Sequence, residues 1–235
     1  MIEYIGKCLL IEEEKKKILV IGDLHLGYEE ALVESGVFIT PKMFKEMIEE
    51  LDELFKKIEK VDEIVLLGDI KHYFGKISTQ EWQDLLKLFD YLEKKCNKIT
   101  IIKGNHDVII EPVAEKREID VKKVYTLGKY CFVHGDKDYE EIWDKKVEYV
   151  IMGHGHPAVK LKEGTKVEKY KCFLEGKYRG KNIVIVPSFS EHSIGSDLRE
   201  EGVIMAWDFN FDKFNVKIVG DNLEVLDFGK LSKLK

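Results

Sequence analysis

Three short apolar segments decide the fold: KILVIGD (residues 17–23), DEIVLLGD (62–69) and KITIIKGN (98–105). Each is rich in branched aliphatic residues and runs into a glycine that is followed by Asp or Asn. Continuous apolar runs of this length are typical of strands that are buried on both faces, as in a parallel sheet. The three segments therefore predict neighbouring strands that each end in a polar residue.

Two amphipathic segments separate these strands. In residues 41–60, apolar side chains recur at helical spacing, and Thr40 is expected to cap the helix. In residues 79–96, Ser78 and Glu81 have the spacing of a capping box. The order strand, helix, strand, helix, strand predicts a parallel α/β sheet.

The pattern changes after residue 120, where shorter strand-like segments surround one expected helix at 138–147. Beyond Pro157, apolar runs alternate with Gly, Asn and Asp turns, which is typical of antiparallel hairpins. The last expected strands cover residues 202–209 and 214–220. These segments predict a second, mostly antiparallel sheet packed on the first.

The composition is that of an ordinary globular protein, with 44% apolar and 35% charged residues and a formal charge of −6. The absence of a linker or internal repeat predicts one domain over residues 1–235. The acidic balance does not indicate a nucleic-acid partner, which usually needs a basic surface. Neither a signal peptide nor a membrane span of about 20 apolar residues is recognisable, so a cytoplasmic protein without a membrane partner is expected.

Five polar clusters follow the apolar strands and contain most of the histidines. They are GDLHLG (22–27), GDIKH (68–72), GNHD (104–107), VHGD (133–136) and GHGHP (153–157). In open α/β sheets the ligand crevice lies beyond the carboxyl ends of the strands, so the clusters are expected to converge. Asp, Asn and His without thiolates suit Mn, Fe, Co, Ni or Zn, and these donors are too many for a single ion.

The ordered motifs D-x-H, G-D, G-N-H-D, H-G-D and G-H-x-H, over residues 22–157, resemble the calcineurin-like metallophosphoesterase superfamily. The resemblance implies an α/β fold, a mixed two-sheet β-sandwich flanked by helices, with two divalent ions at one edge. Manganese is the first expectation, with Ni, Fe, Co and Zn as alternatives. The implied activity is hydrolysis of phosphate esters by a hydroxide that the two ions activate, with phosphodiesters favoured. DLHLGYEEAL and GDIKH are similar to ICC-like archaeal and bacterial phosphoesterases, some of which are encoded with DNA ligases.

The resemblance also implies a role for each matching position. The implied metal ligands are Asp23, His25 and His156 for one ion, Asn105, His134 and His154 for the other, and Asp69 as the bridge. His106 is then the catalytic histidine that binds no ion, and Asp107 is expected to act beside it by orienting its ring.

A few polar residues near the motifs are candidates for contact with the substrate. His72 stands where the superfamily commonly has Asp or Glu, and with Lys71 it is expected to approach the substrate phosphate. A supporting or surface role is the alternative for both residues. Arg199 is a weaker candidate of the same kind, and His192 is expected in a solvated loop.

Two other functions remain open from the sequence. One is a metal-bearing scaffold without activity, which the presence of His106 disfavours. The other is a nuclease that acts on DNA or RNA ends, which the acidic balance disfavours. The sequence predicts neither the physiological substrate nor the oligomeric state.

Overall fold

The first sheet carries the three parallel strands that the apolar segments predict. The computed structural model describes residues 1–197 and 205–234. The strands of this sheet are β1 (Ile2–Ile5), β2 (Cys8–Glu13), β3 (Lys16–Ile21), β4 (Val61–Leu66), β5 (Cys96–Ile102) and β6 (Asp120–Lys122), in that spatial order. From β3 to β6 every pair is parallel, whereas β1, β2 and β3 form an antiparallel meander. The parallel strands β3, β4 and β5 therefore end at one common edge.

The second sheet is mixed. Its strands are β7 (Val124–Leu127), β8 (Tyr130–Val133), β9 (Tyr149–Met152), β10 (Pro157–Glu163), β11 (Lys166–Tyr178), β12 (Lys181–Ile185), β13 (Ser196–Asp197), β14 (Asn215–Val219) and β15 (Val225–Lys230). The spatial order is β13-β10-β11-β12-β9-β8-β7, and β14 pairs with both β11 and β15. Strand β9 lies parallel to β8 and β12, and the long hairpin of β10 and β11 is antiparallel.

The two sheets pack face to face as a sandwich. The layer between them includes Ile18 and Val65 from the first sheet and Phe132 and Phe173 from the second, all fully buried. On the outer face of the first sheet lie the helices α1 (Tyr28–Glu34), α2 (Met43–Ile58), α3 (Thr79–Leu92) and α4 (Glu111–Glu115). Within residues 1–197 and 205–234, no helix has both the length and the apolarity to cross a membrane.

The starts of the two long helices have different causes. The Ser78 hydroxyl accepts from the Glu81 amide at 3.0 Å, and the Glu81 carboxylate accepts from the Ser78 amide at 3.1 Å, which confirms the predicted capping box of α3. Helix α2 begins at Met43, and the predicted Thr40 cap is wrong. Instead, the carboxylate of Glu29 in α1 accepts from the Met43 amide at 2.9 Å, so a neighbouring helix caps α2.

Two of the expected elements are shorter than predicted or lack regular structure. The expected helix at 138–147 shrinks to a 3₁₀ turn at Glu140–Trp143, because Asp144 leaves helical geometry and its carboxylate binds the Lys146 amide at 2.8 Å. Residues 205–209 of the expected strand at 202–209 are irregular, and the remainder of that strand lies outside the described residues.

Candidate metal centre

The polar clusters meet where strands of both sheets end. Asp23, Asp69 and Asn105 follow β3, β4 and β5 within three residues. From the second sheet, His134 follows β8 directly and His154 follows β9 after one glycine. Parallel strands that carry polar residues beyond their carboxyl ends thus bring segments from positions 23 to 156 to one edge of the sandwich.

Several of these residues have left-handed backbone conformations. The φ angles are 48° at His25, 47° at Asp69, 62° at His154 and 40° at His156. This region is sterically unfavourable for non-glycine residues, and such strain clusters at functional sites. A Cβ atom at Gly104 would lie 2.3 Å from the Asp69 amide nitrogen, so only glycine permits this close approach of the two loops.

Asp23, His25 and His156 form the first donor group, whose ligand atoms all lie within 4.8 Å of one another. Oδ1 of Asp23 is 3.2 Å from Nε2 of His156, and the Nε2 atoms of His25 and His156 are 3.3 Å apart. Burial raises the pKa of Asp23, but the attraction of His156 and His134 outweighs it and holds the pKa below its ordinary value. The buried carboxylate is therefore suited to a cation.

Asp69, His134 and His154 form the second donor group, again within 4.8 Å of one another. Nε2 of His134 lies 3.4 Å from Oδ2 of Asp69 and 3.0 Å from Oδ1 of Asn105. Nδ1 of His154 lies 3.1 Å from the same His134 nitrogen. Burial lowers the pKa of His134, but the carboxylates of Asp69 and Asp23 more than compensate and raise it to about 9.

Asp69 lies between the two groups. Its Oδ2 atom is 3.9 Å from Nε2 of His25 and 3.4 Å from Nε2 of His134. The Nδ1 atom of His25 is buried without a hydrogen-bond partner. Carboxylate and imidazole donors at these separations fit two divalent cations that share one carboxylate.

His106 stands beside the donor groups, with Nε2 3.9 Å from Oδ2 of Asp69. Its Nδ1 atom contacts the backbone carbonyl oxygen of His72. The carboxylate of Asp107, expected to orient this ring, instead accepts from the backbone amides of Gly104 at 2.9 Å and Ile70 at 3.0 Å. Asp107 thus ties two motif loops together, and the His72 carbonyl orients His106.

The two predicted substrate contacts differ in orientation. The Lys71 ammonium is buried and donates to the carbonyl oxygens of Tyr73 and Lys76, so it binds the chain itself and is not directed at a substrate phosphate. The His72 ring faces the site: it stacks on His106 with ring centres 5.6 Å apart. Burial, aided by His106, lowers the pKa of His72. Arg199 lies outside the described residues.

Serines that sequence reasoning missed support the first donor group. The Ser193 hydroxyl lies 2.9 Å from Nδ1 of His156, and the Ser188 hydroxyl donates to the Asp23 carbonyl at 2.8 Å. Both belong to the segment PSFSEHS (187–193), a polar cluster that follows β12 just as the five motifs follow their strands. That placement was the signal that could have revealed them.

Two lysines from distant elements hold this segment in place. Lys7, in the turn between β1 and β2, donates to the Phe189 carbonyl at 2.9 Å. Lys171, in β11, donates to the carbonyl oxygens of Ser188, at 2.8 Å, and of Ser190. Burial, with the neighbouring Lys7, lowers the pKa of Lys171 to about 7. His192 is not simply solvated, because Nε2 lies 3.3 Å from a Glu29 carboxylate oxygen.

Comparison with known proteins identifies the family and the fold. The family model described as calcineurin-like phosphoesterase matches residues 16–222. The fold is similar to that of nuclease MPE from Pseudomonas putida, with a TM-score of 0.60 and 17% identity over 94% of this chain and 100% of that chain. A Vps29 single mutant from Entamoeba histolytica is similar with a TM-score of 0.41 and 15% identity, over 90% of this chain and 99% of that one. No curated protein sequence matches the chain.

Proposed function

The chain belongs to the calcineurin-like phosphoesterase family, and from that premise we propose that it is a binuclear metallophosphoesterase, a hydrolase acting as a phosphodiesterase in preference to a phosphomonoesterase. The observation that carries the proposal is the position of Asp69, whose Oδ2 atom faces a nitrogen of each donor group at 3.9 and 3.4 Å. One carboxylate between two sets of donors is the arrangement that two nearby cations need.

The proposed ligands are those expected from the sequence: Asp23, His25 and His156 for one ion, Asn105, His134 and His154 for the other, and Asp69 for both. We propose manganese as the native metal, with Ni, Fe, Co and Zn as alternatives. Two such ions would draw electron density from the phosphate oxygens and lower the pKa of water at the site.

The chain's own residues then position the substrate and move the proton. The His72 carbonyl accepts from Nδ1–H of His106, so the proton that this ring exchanges is the one on Nε2. In the proposed reaction His106 gives that proton to the leaving oxygen of the ester. The His72 ring lies against His106 and contributes to phosphate binding, while Asp107 holds the two loops that carry these histidines.

The geometry of the site bears differently on the two alternative functions, an inactive scaffold and a nuclease. A scaffold without activity has no use for a histidine oriented by a backbone carbonyl, so the His106 geometry supports an enzyme. Nuclease action on DNA or RNA ends is one form of the proposed diester hydrolysis. A single domain over residues 1–235 and a cytoplasmic location remain predictions.

The test is a metal-reconstitution series. Metal-stripped protein is reloaded with Mn, Ni, Fe, Co or Zn and assayed on bis-p-nitrophenyl phosphate, a diester, and p-nitrophenyl phosphate, a monoester. Elemental analysis should find about two ions per chain, and chelation should abolish hydrolysis. Occupancy of no more than one ion, or activity that survives chelation, would overturn the binuclear proposal.

A further inference from the structure

Phe74 is an exposed aromatic side chain that lies directly against the candidate metal centre. It is 61% exposed, and its ring centre lies 3.7 Å from that of His106 with the planes tilted by 36°. Solvent-exposed apolar rings are common singly on protein surfaces. The Phe74 ring, however, lies against His106, the proposed proton donor, and is therefore placed to contact a substrate that reaches this histidine.

The loop that presents Phe74 is held by buried charges. The Glu81 carboxylate accepts from the Tyr73 amide at 2.9 Å, and the Lys71 ammonium donates to the carbonyl oxygens of Tyr73 and Lys76. Both charged side chains are fully buried. The Lys76 amide also donates to the Phe74 carbonyl at 2.9 Å. The position of Phe74 is therefore specified by the chain and does not depend on packing of its own ring.

Lys71 and the arginines of the described residues are engaged by other parts of the chain. The Lys71 ammonium is engaged by its own loop. Of the arginines in residues 1–197 and 205–234, Arg117 pairs with Asp90, and Arg179 stacks on Trp143 with its guanidinium carbon 5.5 Å from the ring centre. The exposed ring of Phe74 is a side chain at the rim that is available to contact the part of the substrate beyond the phosphate.

We propose that Phe74 stacks on a nucleobase adjoining the scissile phosphate, so that the substrate is a phosphodiester of single-stranded nucleotides. The inference rests on the proposed function above, because it needs the phosphate at the metal centre. A base in a single strand has a free π-face, and stacking accepts every base without reading its identity. The net charge of −6 disfavours a long basic groove, so the inferred contacts are limited to the scissile phosphate and the adjoining base.

The experiment compares two diesters that share the same phosphate linkage. One is a thymidine dinucleotide, and the other carries a tetrahydrofuran in place of each nucleoside, so that both bases are missing; chromatography follows both reactions. Phe74→Ala should lower kcat/KM for the thymidine dinucleotide about 5- to 150-fold and leave the abasic substrate unchanged. Phe74→Trp should retain the preference. Phe38→Ala, which removes a fully exposed ring elsewhere on the surface, should change neither value.

Equal losses of kcat/KM on both substrates would overturn the stacking of Phe74 on a base and would make Phe74 a support for His106. Unchanged values on both substrates would also overturn the stacking. Metal-dependent hydrolysis of bis-p-nitrophenyl phosphate by the wild type separates this outcome from failure of the proposed function. If no ester is hydrolysed, binding of a phosphorothioate thymidine dinucleotide, measured by calorimetry, tests the stacking separately. Weaker binding by Phe74→Ala than by wild type supports the stacking, and equal binding, or no binding by wild type, overturns it.

Discussion

The backbone amide of His106 donates a 2.9 Å hydrogen bond to Oδ1 of Asp69, so the carboxylate that lies between the two donor groups also positions the proposed proton donor. The second oxygen, Oδ2, faces His25 and His134. A change at Asp69 should therefore disturb the metals and His106 together. A change at the His106 ring should leave the metals in place.

Asp69→Asn is expected to weaken both ions at once, because the amide removes the charge that the two donor groups share. Metal affinity should fall by more than the about 10- to 100-fold that is typical when a residue merely supports a ligand. Elemental analysis and turnover after dialysis measure this. Asn105→Ala is the matched comparison, since Asn105 contacts His134 of the second group, and it should leave one ion bound. Two ions retained at full affinity in Asp69→Asn would contradict the shared position.

His106→Ala should keep both ions and lose about 10²- to 10⁴-fold in turnover, the range for a positioned acid or base. The alanine retains the backbone amide that binds Asp69, so the carboxylate keeps its partner. Metal content and kcat are measured on the same preparation. Loss of metal in this variant would identify His106 as a ligand.

His72→Ala is expected to raise KM or shift the preference between monoester and diester, without the collapse expected at His106. The variant keeps the backbone carbonyl that orients His106. His72→Asp should penalise monoesters more than diesters, because a carboxylate repels a dianion more strongly than a monoanion. The measurement is kcat/KM for both nitrophenyl substrates in wild type and both variants. Parallel losses on the two substrates would show that His72 shapes the loop and does not contact the phosphate.

Ser193→Ala should weaken metal binding about 10- to 100-fold, because the hydroxyl fixes the orientation of the His156 ring from its far nitrogen. Competition with a metal-sensitive dye gives the affinity. Ser190→Ala is the control, since that hydroxyl contacts the sulfur of Met43 at 3.5 Å and no proposed ligand. Equal affinities for Ser193→Ala and wild type would remove Ser193 from the site.

Lys171 makes stability depend on pH. Burial, with Lys7 nearby, lowers the pKa of Lys171 to about 7, whereas the pKa of a lysine in an unfolded chain is about 10.4. Between these values the unfolded chain binds more protons, so this group makes the free energy of unfolding rise with pH. The nearby carboxylates of Glu50 and Glu191 keep the shift from being larger.

In Lys171→Met the increase of the free energy of unfolding with pH should be smaller by up to about 1.4 kcal/mol per pH unit between about pH 7 and 9.5. Urea unfolding at a series of pH values, with fixed excess metal, measures the difference. Lys177→Met, at the exposed end of the same strand, should leave the wild-type slope unchanged. Identical slopes for Lys171→Met and wild type would mean that Lys171 is charged in the folded protein.

The parallel strands and the convergence of the polar clusters were predictable because each depends on local pattern. A continuous apolar run specifies burial on both faces, and the residue after the run must then lie at the sheet edge. The start of α2 was not predictable in this way, because Glu29 from another helix caps it. The polar segment that carries Ser193 could be recognised after β12, but the contact of its hydroxyl with His156 could not, since lysines in two other elements set its loop.

The direction of the side chains in the motif loops could not be predicted from the sequence either. Alternation along a strand gives the direction of a side chain, but the left-handed φ of 47° at Asp69 ends that alternation just before Lys71 and His72. The two neighbours then point differently, one to its own loop and the other to the site. Asp107 was expected from the resemblance to orient the adjacent His106, whereas its hydrogen-bond partners are backbone amides.

The distribution of the donor groups over both sheets has a consequence during protein synthesis. His25 and His156 lie 131 residues apart in the chain, yet their Nε2 atoms are 3.3 Å apart. A nascent chain that has formed only the first sheet presents Asp23, His25, Asp69 and Asn105 without the three imidazoles that follow strands of the second sheet. Such a partial set is richer in oxygen donors and poorer in imidazoles, which are the donors that suit Zn, Fe and Ni. Stable metal binding is therefore expected only once the sandwich has closed and all seven proposed donors are assembled.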